Sequence, residues 1–296
     1  MVSLLARLAP LVITLRGSKR QFSSVERTLA AVQKAREHPA SFEPPASIHA
    51  VRREEGGWPV YLVGDRNAPH RAIFLHGGVY SFEIDPLHWK LVSEVADASN
   101  TLFTVPIMPL APRGTASTVV PVVADLTAAL IDEVGAGNVA IIGDSSGGGM
   151  ALAVAMELRD RGLPALGATV LISPWLDISG TDPRLAEIAP SDPWLAVPGT
   201  HAAGSLYRAE LPEDHPWVSP ITGSLNGLGP ITMFSGTRDI LNADATRLVS
   251  LAGEQPLDYH EGAGMIHNYP ILPMPEGAAA RAIIAQKLSA MGLAPS

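Results

Sequence analysis

The sequence predicts an α/β fold, in which a mostly parallel, eight-stranded β-sheet is flanked by helices on both faces. Three observations predict this fold. Short apolar segments rich in β-branched residues alternate with segments whose apolar residues recur at helical spacing. Around residue 145, a tight turn of glycines and serines joins two apolar segments. Reactive polar residues also follow directly after predicted strands, where ligands bind in sheets of this kind.

The predicted elements begin with a mostly helical segment over residues 1–45. Within it, Ser23 and Glu26 form a capping box at the start of a helix that ends near His38. From residue 46 onward strands and helices alternate. The first two strands form a hairpin around Gly56 and Gly57. Eight strands are expected, at 48–52, 59–63, 71–75, 101–105, 139–142, 168–172, 231–234 and 257–260.

Helices are expected between these strands. Asp85 and Pro86 mark the start of one, and Gly135 the end of the next. Further helices are predicted at 150–161, 243–251 and 276–291. Segment 181–228 interrupts the alternation and is rich in proline and aromatic residues, so we expect an insertion over the site. The expected organisation is an N-terminal helical segment (1–45), a first core part (46–180), an insertion (181–228) and a second core part (229–296).

The composition excludes several classes of protein. Of the 296 residues 47% are hydrophobic and 17% charged, which indicates a globular chain with a large core. The net charge of −8 does not suggest a nucleic-acid-binding protein, which calls for a basic face. Because the chain has no cysteine, it has no disulfide scaffold, cysteine nucleophile or cysteine-ligated metal.

The N-terminus carries a short apolar run at 8–15 that follows Arg7. This run contains Pro10 and leads into Arg16 and Lys19 instead of a small-residue cleavage site, so it differs from a secretion signal. No segment approaches the ~20 apolar residues of a membrane-spanning helix. We therefore expect a cytoplasmic protein without stable membrane insertion.

The most informative segment is Gly143-Asp-Ser-Ser-Gly-Gly148, which lies between the apolar runs 139–142 and 150–158. A strand, a Gly-x-Ser-x-Gly turn and a helix together form the nucleophile elbow of α/β-hydrolases, which raises the serine hydroxyl above the sheet. A Walker phosphate loop would end in Gly-Lys-Ser or Gly-Lys-Thr, and this segment lacks the lysine. Ser145 is therefore the predicted nucleophile.

A serine nucleophile needs a base, and the base needs an orienting carboxylate. On this fold the chain order is serine, then acid, then histidine. His267 follows the last predicted strand and is preferred to His260, which lies within that strand. Asp239 is the first carboxylate after the preceding strand, whereas Asp244 falls inside the next helix. The predicted triad is therefore Ser145, Asp239 and His267.

An oxyanion hole is predicted from His76-Gly-Gly-Val-Tyr80, which follows the third strand. Two glycines after a strand allow backbone N–H groups to point into a site without obstruction by Cβ atoms. We expect Gly77, Gly78 and Ser146 to donate these N–H groups, each worth about 3 kcal/mol in the transition state. His76 is expected to hold the loop through hydrogen bonds.

Together these motifs resemble the hormone-sensitive-lipase-like family of α/β-hydrolases, in its branch of bacterial esterases. The resemblance extends over most of the chain, from about residue 40 to residue 290. The segments that carry it are His76-Gly-Gly78, Pro109-Leu-Ala-Pro112, Gly143-Asp-Ser-Ser-Gly147, Ser173-Pro-Trp-Leu-Asp177, Val218-Ser-Pro220, Gly236 to Leu241, and His267.

The resemblance implies that the N-terminal helices and the insertion form a cap over an acyl-binding pocket. It also implies hydrolysis of carboxylic esters without a cofactor or metal, and it is compatible with a homodimer, since many relatives dimerise. Two positions depart from the family pattern: Val79 replaces a third glycine, and Arg113 replaces a common acidic residue. The residues expected to line the pocket are Tyr80, Phe82, Trp194, Leu195, Tyr207 and Ile240.

The resulting expectation is a serine carboxylesterase that acts on small-molecule esters with short to medium acyl chains. The same triad could serve a lactone hydrolase or an aryl-formamide hydrolase, and the sequence leaves these alternatives open. A third alternative is a non-catalytic small-molecule receptor on the same fold. Such receptors typically lose the base, and His267 is present here.

Overall fold

The computed structural model describes residues 2–15 and 17–292. Within these residues eight strands form one sheet in the order β1-β2-β4-β3-β5-β6-β7-β8. Strands β1 and β2 run antiparallel to their neighbours, and all other neighbours are parallel. The prediction of a mostly parallel, eight-stranded sheet is confirmed. The strands are β1 (Ala50–Glu55), β2 (Trp58–Val63), β3 (His70–Leu75), β4 (Thr101–Pro106), β5 (Val139–Asp144), β6 (Ala168–Ile172), β7 (Ile231–Arg238) and β8 (Leu257–Ile266).

Helices cover both faces of the sheet, as the alternating pattern predicts. They are α1 (Leu4–Leu15), α2 (Ser18–Phe22), α3 (Val25–Glu37), α4 (Pro86–Ser99), α5 (Ala116–Val134), α6 (Ser146–Asp160), α7 (Arg184–Ile188), α8 (Val197–Arg208), α9 (Asn242–Leu251) and α10 (Pro275–Ser289). No helix in the described residues is both long and apolar enough to cross a bilayer.

The hydrophobic core is divided between the two faces of the sheet. Successive side chains of a strand point to opposite faces. In β3, Ile73 and Leu75 therefore pack with α5 and α6, whereas Ala72 and Phe74 pack with α4 and α10. All four of these side chains are completely buried. Because both faces are covered, the parallel strands read as continuous apolar runs in the sequence.

Helix α6 begins at Ser146, four residues earlier than predicted. The three glycines after Ser146 have low helix propensity, but close packing makes them necessary here. A Cβ atom at Gly147 would collide with the carbonyl of Leu75, and one at Gly143 with the carbonyl of Gly147. The helix can therefore start directly at the nucleophile turn and lie tightly against the sheet.

Strand β8 is much longer than predicted, because it continues to Ile266. Gly262 and Gly264 make this extension weak on propensity alone. Pairing with β7 stabilises it, and an irregularity in the register lies between Gly236 and Arg238. As a result His267 follows the strand directly instead of lying in a long loop.

Two other boundaries differ from the prediction. Strand β1 is shifted toward the hairpin turn and includes charged residues 52–55, which an edge strand tolerates. The N-cap of α3 is Ser24, whose hydroxyl accepts the N–H of Arg27 at 3.3 Å. Ser23 instead donates to the carbonyl of Arg20 at 2.8 Å, at the end of α2.

The N-terminal helices contact the inserted segment. Helices α2 and α3 pack on α8, and Gly199 of α8 has no room for a Cβ atom beside Phe22 and Thr28. Phe22 is buried in the larger core cluster together with residues of the insertion. Ser18, Gln21 and Phe22 of α2 lie beside Ser145, at the carboxyl end of β5. The exact division into cap and core stays a prediction.

Candidate active site

Ser145 lies at the turn between β5 and α6, with φ 53° and ψ −121°. A non-glycine residue in this region is strained, and such strain is typical of a nucleophile elbow. Backbone hydrogen bonds hold the turn: the N–H of Ser145 donates to Ile172 at 2.8 Å, and its carbonyl accepts the N–H of Trp175 at 2.9 Å. The side chain is 3% exposed, so the hydroxyl lies at the base of a cavity.

A single imidazole connects Ser145 with a buried carboxylate. His267 Nε2 lies 3.1 Å from Ser145 Oγ, and His267 Nδ1 lies 2.8 Å from Asp239 Oδ2. Asp239 is fully buried, and its other oxygen accepts the N–H of Leu241 at 2.9 Å. The structure therefore brings together the three side chains chosen from the sequence. His260 lies elsewhere, stacked on Phe234.

The surroundings of His267 favour a protonated imidazole. Burial lowers the pKa of this histidine, but the charge and hydrogen bond of Asp239 outweigh burial, so the net shift is upward. Asp192 and Asp144 add smaller contributions in the same direction. A base flanked by buried carboxylates can hold the proton that a serine hydroxyl releases.

The residue before Ser145, Asp144, organises a second buried network. Its Oδ1 accepts the N–H of Gly77 at 2.9 Å, and its Oδ2 accepts Nδ2 of Asn268 at 2.6 Å and Nε2 of His88 at 3.2 Å. Burial raises the pKa of Asp144, but His88 and the Gly77 N–H outweigh burial and lower it overall. In turn, the carboxylates of Asp144 and Asp85 raise the pKa of His88 despite its burial.

The Asp144 contact corrects the predicted oxyanion hole. Because the N–H of Gly77 is directed at Asp144, it is not free for a substrate oxygen. The next anchor is the N–H of Tyr80, which donates to Ser146 Oγ at 3.1 Å. Between these anchors, the N–H groups of Gly78 and Val79 make no hydrogen bond within the described residues, and neither does the N–H of Ser146.

Val79 and Tyr80 both have positive φ, 48° and 62°. A β-branched residue rarely adopts this conformation, so the replacement of the family's third glycine by Val79 strains the loop. The Val79 side chain is buried, which helps to hold it in this conformation. His76 contacts the same loop through Nδ1, 2.7 Å from the carbonyl of Gly77. Burial, followed by the nearby His88, lowers the pKa of His76 to about 4.

Asp192 in the insertion contacts the loop that carries Asp239. Its Oδ2 accepts the N–H of Ile240 at 2.9 Å, and its Oδ1 accepts the N–H groups two and three residues further along the chain. Burial, followed by the charge of Asp239, raises the pKa of Asp192 to about 6. Lys19 of α2 donates to the backbone carbonyl of Asp192 at 2.7 Å. This residue therefore links the N-terminal helices, the insertion and the acid loop.

A cavity of about 200 Å³ lies above Ser145. Three of the predicted pocket residues line it, namely Phe82, Trp194 and Leu195. Trp194 also contacts the base edge-on, with 5.6 Å between its ring centroid and that of His267. The sequence missed Ser18, Gln21 and Phe22 of α2, which form another part of the wall.

The other three predicted pocket residues do not line this cavity. Tyr80 and Tyr207 stack on each other with ring centroids 3.6 Å apart, and both are buried. Ile240 is buried as well, and its N–H binds Asp192. Aromatic and apolar residues near a site pack into the core as readily as they line a pocket.

Comparisons with known proteins agree with this geometry. The family model for the α/β-hydrolase fold matches residues 72–271. The chain belongs to the α/β-hydrolase family. A triacylglycerol lipase of Mycobacterium tuberculosis (strain ATCC 25618 / H37Rv) is 34% identical over 203 residues, a match that covers 68% of this hydrolase and 42% of the lipase. An acetyl-hydrolase of Streptomyces hygroscopicus is 32% identical over 217 residues, covering 68% and 70% of the two chains.

Solved structures show the same fold. An esterase/lipase from an uncultured bacterium superimposes with a TM-score of 0.83 at 23% identity, over 97% of this chain and 98% of that one. A hormone-sensitive lipase from a metagenome library gives a TM-score of 0.80 at 21% identity, over 95% and 97%. Together with the family model, these matches confirm the α/β-hydrolase family and the fold predicted from the motifs. The names of the curated relatives, lipase and acetyl-hydrolase, agree with the expected class of carboxylic ester hydrolase. The match spans less than half the length of the M. tuberculosis lipase.

Sequence reasoning missed several polar residues of the site. Asp144 stands within the nucleophile motif itself, but a motif position does not reveal which groups a side chain contacts. His88 was visible only as part of a helix, and Asn268 only as the neighbour of His267. Asp192 lies in the insertion, where the chain has no regular pattern.

Proposed function

We propose that this hydrolase is a serine carboxylesterase in which Ser145 is the nucleophile, His267 the base and Asp239 the orienting acid. The observation that carries the proposal is the position of the imidazole, 3.1 Å from Ser145 Oγ and 2.8 Å from Asp239 Oδ2. Relatives named lipase and acetyl-hydrolase support ester bonds as the substrate class.

The proposed reaction proceeds in two halves. Ser145 Oγ attacks the ester carbonyl while His267 Nε2 takes its proton, and a tetrahedral intermediate forms. His267 returns this proton to the leaving alcohol, which leaves an acyl-enzyme on Ser145. Water then attacks the acyl carbon, gives its proton to His267 and releases the carboxylic acid. Asp239 accepts from Nδ1 throughout, so Nε2 faces the serine in the correct tautomer.

The negative oxygen of the intermediate is assigned to the N–H groups of Gly78, Val79 and Ser146. Their freedom from other hydrogen bonds in the described residues supports this assignment. It replaces the sequence-based set, in which Gly77 was a donor. Each donor contributes about 3 kcal/mol when its hydrogen bond forms only in the transition state.

Short acyl chains are the proposed substrates. A cavity of about 200 Å³ is smaller than most ligand pockets, which span roughly 300–1,000 Å³. Phe22 and Leu195 close part of the wall, and both are almost fully buried. A long acyl chain would have to leave this cavity and contact solvent or another surface.

The test is hydrolysis of p-nitrophenyl esters from acetate to palmitate, with Ser145→Ala as the control. We expect activity to be highest on acetate and butyrate and to be lost in the variant, while the variant keeps the wild-type melting temperature. Full activity of Ser145→Ala would overturn the mechanism. If no ester is hydrolysed but an aryl formamide or a lactone is, the triad is retained and the substrate class is wrong. If labelling by an organophosphonate also fails, the alternative of a non-catalytic receptor is favoured.

Three further expectations stay predictions from the sequence: a cytoplasmic location, a homodimer and a reaction without cofactor or metal. Among the residues that the structure describes, no group of three or more histidine, aspartate and glutamate side chains is arranged to hold a metal ion.

A further inference from the structure

Helix α1 exposes an unusual apolar stripe. Of the ten large hydrophobic residues that are exposed in the described part of the chain, six lie on this one helix. Their side chains are between 45% and 79% exposed. They are Leu4, Leu5, Leu8, Leu11, Val12 and Leu15. Such a patch on a monomer marks an interaction surface.

The exposed stripe is not the side of α1 that packs on the core, because a different side of the helix is buried. Ala6, Pro10 and Ile13 are buried, and Ala6 and Ile13 belong to the core cluster that contains Tyr269 and Ile271. Leu4, Leu8, Leu11 and Leu15 are spaced four, three and four residues apart, so they form one row along the helix. Two hydrogen bonds anchor the start of the helix. The backbone N–H of Ser3 donates to Glu276 Oε1 at 2.6 Å, and the Ser3 hydroxyl donates to Glu276 Oε2 at 2.8 Å.

The charge along this N-terminal segment of the chain is one-sided. Residues 1–25 contain four basic and no acidic side chains, although the whole chain has a net charge of −8. Arg7 on α1 and Arg20 on α2 are exposed. An apolar helical face flanked by arginines binds at the interface of a bilayer with anionic lipids. With 12 residues α1 is about 18 Å long, too short to span a hydrocarbon core of about 30 Å.

We propose that α1 docks this protein on an anionic lipid surface, with the leucine row in the boundary region and Arg7 and Arg20 at the headgroups. The charge pattern argues against a second copy of the chain, because a two-fold interface would bring like patches, and therefore like charges, together. Docking also brings the cavity near the lipid, since α2 begins three residues after α1 ends and lines that cavity through Ser18, Gln21 and Phe22.

The test is co-sedimentation with vesicles of phosphatidylcholine alone and of phosphatidylcholine with 30% phosphatidylglycerol. Ser145→Ala can be used throughout, because vesicle binding needs no turnover and does not depend on the proposed esterase activity. We expect binding to the anionic vesicles, weaker binding at high salt and little binding to phosphatidylcholine alone. The triple variant Leu8→Gln, Leu11→Gln, Leu15→Gln should weaken binding at least about tenfold. Arg7→Gln with Arg20→Gln should weaken it by roughly tenfold as well.

The matched control changes exposed apolar residues on another helix. Val249 and Leu251 of α9 are 38% and 54% exposed, and Val249→Gln with Leu251→Gln should leave vesicle binding unchanged. Circular dichroism and melting temperature establish that each variant is folded. The proposal is overturned if the wild type does not bind anionic vesicles, if it binds neutral vesicles equally well, or if the control weakens binding as much as the α1 triple variant. A wild-type dimer that the triple variant dissociates, without vesicle binding, would assign the face to a second copy.

Discussion

The carboxylate of Asp144 lies 2.9 Å from the backbone nitrogen of Gly77, so the residue before the nucleophile holds the loop that faces it. The other carboxylate oxygen of Asp144 accepts the side-chain amide of Asn268, the residue after the catalytic histidine. The buried carboxylate of Asp144 thus connects its own turn with the loop of Gly77 and the segment of Asn268. The side chain that holds the loop comes from the same turn that positions Ser145, so Ser145 and the loop of Gly78 and Val79 are fixed relative to each other.

Asp144→Asn should lower both stability and turnover. The amide keeps one acceptor oxygen but turns its NH₂ group toward the donors His88 and Asn268, and a broken buried network of this kind costs about 3 kcal/mol. Because the oxyanion donors act mainly in the transition state, kcat should fall about 10²-fold with little change in KM. Steady-state kinetics and urea unfolding measure the two effects.

The matched control for this prediction is Asp244→Asn. Asp244 is also a buried carboxyl, and burial, followed by the charge of Asp177, raises the pKa of Asp244 to about 8. It is therefore mostly neutral at pH 7, and a neutral amide should change little there. A kcat of Asp144→Asn within twofold of the wild type would contradict the anchoring role of Asp144.

Asp239→Asn should reduce kcat about 10⁴-fold while the protein remains folded. The amide would present either an oxygen or an NH₂ group to His267 Nδ1, and in the second case the imidazole would take the wrong tautomer for Ser145. Hydrolysis of p-nitrophenyl acetate measures the loss. A variant that retains a tenth of the activity would show that another carboxylate orients the base, and Asp192 would then be the first residue to examine.

The pH dependence of activity should follow His267. Only the neutral imidazole can act as base, and Asp239 raises its pKa above the ordinary 6.5, so kcat/KM should fall as the pH falls through this raised value. Stability has the opposite dependence: the charged His267 stabilises the fold fully below pH 6.5, and this contribution is lost as the pH rises through the raised pKa.

Removal of the Asp192 charge should move the acid limb of the pH profile, which is the fall of kcat/KM at low pH. Because Asp192 contributes to the raised pKa of His267, Asp192→Asn should shift the acid limb of kcat/KM to lower pH. Glu83→Gln is the comparison, since Glu83 lines the same cavity but is not among the groups that shift His267. An acid limb that stays in place in Asp192→Asn would show that this carboxyl is uncharged when the enzyme works.

Gly147→Ala should unfold or inactivate the protein. Its Cβ atom would collide with the carbonyl of Leu75 at the contact between α6 and β3, and the backbone of the elbow would have to move. Overpacking of this kind costs about 3 kcal/mol. Gly137→Ala is the matched control, because within the described residues no atom apart from its chain neighbours lies within 4 Å of the added Cβ, and φ there is not positive. Thermal unfolding compares the two, and equal melting temperatures would contradict the packing argument.

Much of the architecture could be predicted because it depends on local patterns. Apolar runs identified the eight strands, and the hairpin at Gly56 and Gly57 followed from residues that adopt positive φ. The boundaries that were wrong lie where tertiary contacts outweigh propensity. Helix α6 starts at three glycines because it packs against the sheet, and β8 continues through Gly262 because β7 pairs with it.

The sequence by itself determined the fold, and it identified Ser145, Asp239 and His267 as side chains that meet, because each follows a strand and parallel strands bring their carboxyl ends to one edge. Only the tertiary structure decided which N–H groups are free, which aromatic residues line the cavity and which carboxyls support the base. The N–H of Gly77, predicted to be an oxyanion donor, instead donates to Asp144. Tyr80, predicted to line the cavity, instead stacks on Tyr207. These outcomes depend on distances of a few ångströms between segments far apart in the chain, and residue order does not encode such distances locally.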